Sequence, residues 1–385
     1  MSTAIGIGAF LVTLLVMVTF HEFGHYISAR RFGIKVEEFF VGFGPRLVSW
    51  WRGETEFGIK AILLGGYVRI AGMNPTQQIT EEERPRTFPA KPAWQRAIVL
   101  LAGSFTHFVL ATVVFTVLFA AIGVHDFTRP TTQVDEVIAE VGGKPGPARV
   151  AGLEPGDRIV AISGRPVRSW EQVREAIRPN AGRELIFEVE RGQRRLGIPV
   201  TPIEADAPDP ENPERTVKAG QVGIAPAFPV VRRGPVAAFG EAAKTTGRMI
   251  VASVQGAGKI FSPEGLGGVF EAVGGQGTRD LSEDQPIGLV GGARLAGQAT
   301  SAGQVESLIF FLGGFIVFVG VINLAPLPPL DGGHLLVLLV EKISRKAVDP
   351  RKLIPVSGLV LAFLLILSVA LLYLDVARPI TDPFQ

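Results

Sequence analysis

"VTFHEFGHYISARR", residues 18–31, sets a glutamate between two histidines directly after an apolar run that reaches back to the N-terminus. Residues 1–20 carry no Asp, Glu, Lys or Arg, and the same holds for 97–124, 307–330 and 353–374. Each stretch is close to the ~20 residues that cross ~30 Å of hydrocarbon. The 385-residue chain is 47% hydrophobic and only 19% charged, which points away from an ordinary soluble protein. The fold class expected is an α-helical membrane protein with four transmembrane helices. A cleaved secretory signal would need basic residues before the first run and a small-residue cleavage site after it; HEFGH follows instead. There is no cysteine, so a metal must be held by His and carboxylates. A net charge of +2 gives no case for nucleic acid.

The connection from 30 to 96 carries eleven Lys or Arg, and 341–352 packs in Lys342, Arg345, Lys346, Arg351 and Lys352. Basic loops stay in the cytoplasm, which places both termini and the long region 125–306 outside, in the plasma (inner) membrane of the cell. The expected organisation is then a first span within 1–30 and a cytoplasmic connection at 31–96. A second span follows at 97–124, a small α/β domain at 130–203, a linker with membrane-adjacent helices at 204–306, a third span within 307–340 and a fourth at 353–375. "TEFGIKAILLGGYVRIAG" (55–72) is apolar for a loop and bends at Gly65 and Gly66; it reads as a membrane-associated β-hairpin. Alternation in "RELIFEVERG" (183–192) and a helical pattern at 169–179 mark the α/β domain. Within it "AGLEPGDRIVAISG" (151–164) resembles a segment of PDZ domains. "EADAPDPENPERT" (204–216) reads as an acidic, Pro-rich linker. The stretch 234–261 puts Phe239, Ala243, Ile250, Val254 and Phe261 at loose helical spacing, for a helix on the membrane surface or packed as an ordinary amphipathic one.

In a helix His21 and His25 stand one turn apart on one face, where both imidazoles reach one Zn²⁺, and Glu22 projects beside them to take a proton from water. The plainer reading ends the helix at Phe20 and leaves HEFGH in solvated interface. Three ionisable groups in one span favour function, because such groups are costly in hydrocarbon. A catalytic zinc keeps three protein ligands and an open position, so a third ligand is required. "NLAPLPPLDGGHLL" (323–336) supplies an acid in a charge-free stretch, after prolines that break the helix. Asp331 is the expected ligand; a capping role for Asp331, with His334 as ligand, is the alternative. His21 and Asp331 fall at similar depth, each about twenty residues inward.

HEFGH together with Asn323, Pro326, Pro328, Asp331, Gly332, Gly333 and His334 resembles the signature pair of the site-two protease family of intramembrane zinc metalloproteases. The likeness is to its bacterial, regulator-of-sigma-E-protease-like branch, which carries a PDZ insertion and acts in envelope stress responses. "FFVGFGPRL" (39–47), "LLGGYVRIAGM" (63–73) and "QPIGLVGGARLAG" (285–297) also look like family segments. The resemblance implies zinc held by His21, His25 and Asp331, with Glu22 as general base. It further implies a substrate backbone or oxyanion held near Asn323 and Pro326, and a hairpin edge at Gly65, Gly66 and Tyr67 for strand addition. The substrates implied are single-span membrane proteins, such as trimmed anti-sigma factors or remnant signal peptides, met among membrane lipid; no oligomeric state is assigned. One departure stands at His107, where bacterial relatives usually have asparagine. It reads either as a satisfied histidine inside the bundle or as a group that orients a metal ligand, and His334 is the second such candidate. Two rival functions are a membrane-anchored zinc protease acting on cytoplasmic chains and a non-enzymatic PDZ scaffold. The first requires a third ligand in 30–96, which holds no histidine, and the second requires loss of Glu22 or a ligand, all of which are present.

Overall fold

The run that ends in HEFGH continues without a break as one helix, α1 (Thr3–Arg31), so the histidines and Glu22 lie on helix and not beyond its end. The computed structural model describes residues 3–74, 77–208, 215–275, 286–346 and 348–378. After α1, β1 (Val36–Arg52) and β2 (Thr55–Ile70) are antiparallel, and each is bent so that the pair makes four adjacent strand segments. Residues 36–41 pair on one side with 66–70 and on the other with 56–59, while 46–52 pair with 55–60. Gly42 and Gly65, at φ +93 and +144, lie in the bends, a region that residues with a Cβ rarely occupy. The segment 66–70 is therefore one edge of the small sheet. Helix α2 (Ala93–Val117), prolonged by a π turn to Ile122, is the second apolar helix and starts four residues before the expected boundary.

The chain then forms a separate compact unit, Gly123–Arg232. It contains β3 (Val124–His125), β4 (Val134–Val137), β5 (Glu140–Val141), β6 (Lys144–Pro145), α3 (Pro147–Ala151), β7 (Arg158–Ile162), β8 (Arg165–Pro166) and α4 (Trp170–Ile177). It continues through β9 (Leu185–Arg191), β10 (Arg194–Val200), β11 (Ile203–Pro208), β12 (Thr216–Gln221), β13 (Ile224–Pro226) and β14 (Val230–Val231). A four-stranded sheet in the order β10-β9-β7-β8 carries the core, where Leu185, Phe187 and Val189 alternate inward against Trp170, Val173 and Ile177 of α4. Ser169 caps α4 by accepting from the Gln172 N–H. The unit does not stop at 203: β11 pairs with β12, β13 with β4 and β14 with β3. Returning strands complete it, so residues 204–208 and 216 of the acidic stretch belong to the paired β11 and β12; its residues 209–214 lie outside those described.

The remaining helices are α5 (Pro235–Ile260), α6 (Pro263–Val273), α7 (Leu289–Ser301), α8 (Val305–Asn323), α9 (Asp331–Ser344) and α10 (Leu353–Ala377). Among the described residues α1, α2 with its π turn, α8 and α10 are long and apolar enough to cross a membrane. The third apolar region is two helices, not one through 340. Leu324–Leu330, with Pro326, Pro328 and Pro329, breaks it, and Asp331 opens α9. Close crossings bind the bundle. A Cβ on Gly24 of α1 would meet the Ala102 carbonyl oxygen of α2 at 2.3 Å, so the two backbones touch at that point.

Candidate metal centre

Helix α1 presents His21 and His25 one turn apart, and the turn before α9 delivers Asp331 to them. Gly332 and Gly333 make that turn possible: a Cβ on either would strike the backbone of Leu324 or Pro328 at 2.0 and 2.3 Å. Asp331 Oδ2 stands 3.3 Å from His21 Nε2 and 3.2 Å from His25 Nε2, and the two Nε2 atoms are 3.1 Å apart.

The other ring nitrogens fix what these three atoms are. His25 Nδ1 lies 2.8 Å from the Val99 carbonyl oxygen; only an N–H satisfies a carbonyl, so Nε2 carries the lone pair. His107 Nδ1 lies 3.1 Å from the Ile316 carbonyl, which makes His107 Nε2 an acceptor. His21 Nδ1, 3.1 Å away, donates to it, and His21 Nε2 is again a lone pair. Two imidazole lone pairs and one carboxylate oxygen thus face a common point. Asp331 Oδ2 is buried without a hydrogen-bond partner, a costly state unless a cation completes it. Ligands about 2.0–2.1 Å from a tetrahedral zinc sit about 3.3 Å apart, which is the spacing found. These residues fit the ion.

Glu22 accepts from the backbone N–H of Val68 in the edge segment of β2, and its Cγ lies 3.6 Å from a Cβ built on Gly66. The hairpin edge is therefore beside the glutamate. Tyr67 donates to Glu38 Oε2 at 2.5 Å and accepts from Lys60 Nζ at 2.8 Å, so its hydroxyl is taken up inside the sheet. Gly65 is buried, with the Phe43 ring 2.6 Å from a built Cβ. Asn323 ends α8 and Pro326 is exposed in the loop that leads to Asp331. His334, one turn into α9, is not in the converging group, which among the described residues is His21, His25 and Asp331. His107 is brought in, as the partner of His21. Sequence reasoning missed Gly103: a Cβ there would lie 2.4 Å from His25 Nε2. Val99, Gly103 and His107 recur every four residues, one face of α2, and that spacing was the available signal.

Metal-ligating chemistry within apolar helices defines a membrane-embedded metalloenzyme. The sequence profile of peptidase family M50 matches residues 9–367, and the chain belongs to this site-two protease family of zinc metalloproteases. The zinc metalloprotease Rip1 of Mycolicibacterium smegmatis is 35% identical over 394 residues, covering 94% of this chain and 95% of its own. Rip1 of Mycobacterium tuberculosis is 33% identical over 415 residues, covering 99% and 98%. The protein is a multi-pass membrane zinc metalloprotease.

Proposed function

We propose that the chain hydrolyses peptide bonds inside the membrane-spanning segments of single-span proteins, with His21, His25 and Asp331 as zinc ligands. The observation that carries this reading is the convergence of three lone-pair atoms 3.1–3.3 Å apart, among apolar helices, with Asp331 Oδ2 buried and unpartnered. Zinc held there supplies a Lewis acid that acidifies water and polarises a carbonyl. Glu22 takes the proton of the attacking water and returns it to the leaving amine. The Val68 N–H holds Glu22 against the hairpin edge, so a chain added as a strand along 66–70 runs past the base. That geometry supports strand addition at Gly66 and Tyr67, which keeps an unwound substrate extended. Asn323, at the end of α8, and Pro326, exposed in the loop that leads to Asp331, are the groups assigned to the substrate backbone.

The basic connections 30–96 and 341–352 support a cytoplasmic position for the metal, with both termini and the Gly123–Arg232 unit outside. That unit is PDZ-like, and it binds a newly exposed carboxyl terminus or excludes untrimmed substrates by bulk. Trimmed anti-sigma factors and remnant signal peptides are the substrate classes that suit it. The test is purified protein in detergent with a trimmed single-span substrate. Parent protein cleaves it, Glu22→Gln retains zinc without cleaving, and Asp331→Asn loses both. Cleavage by Glu22→Gln at the parent rate overturns the mechanism.

A further inference from the structure

Helix α5 runs for 26 residues, about 39 Å at 1.5 Å per residue. It is not apolar enough to count among the four spans, yet it packs at their mid-depth. Thr246 Oγ1 is 3.0 Å from Thr112 Oγ1 of α2, ten residues and about 15 Å from the end of that helix at Ile122. Met249 reaches a Cβ built on Gly314, the midpoint of α8, at 3.8 Å. At the far end of α5 the Phe261 ring lies 6.4 Å from Phe363, ten residues inside α10. From there α6 goes back along α10, with Val269 and Ala272 buried against Leu367 and Leu374. α5 leads inward from Arg233, whose N–H donates to the Phe119 carbonyl at the outer end of α2, and α6 leads out again.

The sequence of α5 divides into three stripes. Ala238, Ala242, Thr245 and Thr246 are buried against the bundle. Phe239, Val251 and Val254 are exposed apolar groups that point away from the protein. Glu241, Lys244, Arg248, Gln255 and Lys259, at separations of three, four, seven and four, fall on one line along the helix. Arg248 is 72% exposed while bonding Glu241 at 3.2 Å and Thr245 at 3.1 Å. Charged groups at such depth face water or a partner and not acyl chains.

We infer that α5 and α6 form a helical hairpin dipping into the bilayer from the side on which α2 ends, and that the Glu241–Lys259 stripe lines a water-filled groove open to that side. The inference rests on the reading of four spans crossing the bilayer. It gives the proposed reaction a second hydrated surface, beside α8. A substrate span resting there has water along its outer half, and backbone groups freed by unwinding find hydrogen-bond partners that hydrocarbon lacks.

The chain has no cysteine, so single cysteines test this directly. Lys244→Cys, Arg248→Cys, Gln255→Cys and Lys259→Cys are compared with Ile250→Cys and Val254→Cys in full-length protein in sealed proteoliposomes. A membrane-impermeant maleimide is applied from either face, and zinc content verifies each variant. The stripe positions should react from one face at least about tenfold faster than Ile250→Cys and Val254→Cys. Equal reaction at both sets, or none along the stripe, overturns the groove. Leu365→Cys, exposed midway along α10, separates the two failures. If it too reacts, the four-span reading has failed; if it is inert while the two sets of α5 positions behave alike, only the groove has failed.

Discussion

Replacing Gly103 by alanine adds one methyl group where α2 faces both histidines. The new Cβ would lie 2.4 Å from His25 Nε2, and 2.7 Å from both His21 Cε1 and His25 Cε1. Ordinary van der Waals contact begins near 3.4 Å, so about 1 Å of separation must be found between an α2 and α1 that already touch at Gly24 and Ala102. Zinc sites tolerate ligand displacements of only about 0.2 Å. Losing the alignment of a ligand is worse than losing an outer partner, which costs roughly 10–100-fold in metal affinity; a weakening of at least about 100-fold is expected. Helix propensity works the other way, because alanine favours a helix over glycine by about 1 kcal/mol. Gly8→Ala on α1, where nothing lies within 4 Å of the built Cβ, is the control. The assay is zinc competition against a chromophoric chelator on detergent-purified protein, with cleavage measured in parallel. Gly103→Ala binding zinc as tightly as Gly8→Ala would refute the reasoning.

Other outcomes follow from neighbouring contacts. His107→Leu removes the acceptor for His21 Nδ1–H and should weaken zinc by roughly 10–100-fold, whereas His107→Asn, with an amide oxygen to accept, should keep most of it; equal affinities would show His107 to be a spectator. Asp375, 1% exposed in α10, accepts from the Gly288 and Gly291 N–H groups at the start of α7. Asp375→Ala should destabilise the protein by roughly 1–3 kcal/mol, read as a lower melting temperature in detergent; an unchanged melting temperature counts against it. In the Gly123–Arg232 unit, burial pushes the fully enclosed Asp157 carboxyl up, but Arg191, at 2.7 and 2.8 Å, and the Glu154 N–H hold it net below the usual carboxylate range. A depressed carboxyl contributes stability that is complete above its unfolded value of about 3.9 and is lost as pH falls through the folded value. The protection of β7 and β9 amides, measured against their intrinsic exchange rates, should therefore fall below about pH 4, and in Asp157→Asn it should be low already at neutral pH and change little on acidification.

The candidate site stood out in the sequence because its chemistry violates its surroundings. His21, Glu22 and His25 interrupt an apolar run, and Asp331 is the first charge after another, so both stood out against hydrocarbon. The outer contacts were not legible: Gly103, the Val99 and Ile316 carbonyls and the Val68 N–H are backbone or absent side chains, which pattern reading does not weigh. The bend at Gly65 was legible, but the division into four segments also needs the turn of β1 at Gly42, which apolar content does not specify. α5 escaped for a third reason. Its buried residues are small while Phe239 and Val254 face outward, so hydrophobic spacing left open which face packs, and its charges removed it from the count of membrane helices. The Gly123–Arg232 unit was drawn short because its closing strands follow an acidic, proline-rich stretch that resembles a linker.

Zinc stoichiometry in two variants measured side by side tests the central claim most directly. Purified parent and His334→Ala should each carry one zinc per chain, and Asp331→Asn should carry essentially none. Zinc retained by Asp331→Asn and lost from His334→Ala would contradict the assignment of the third ligand.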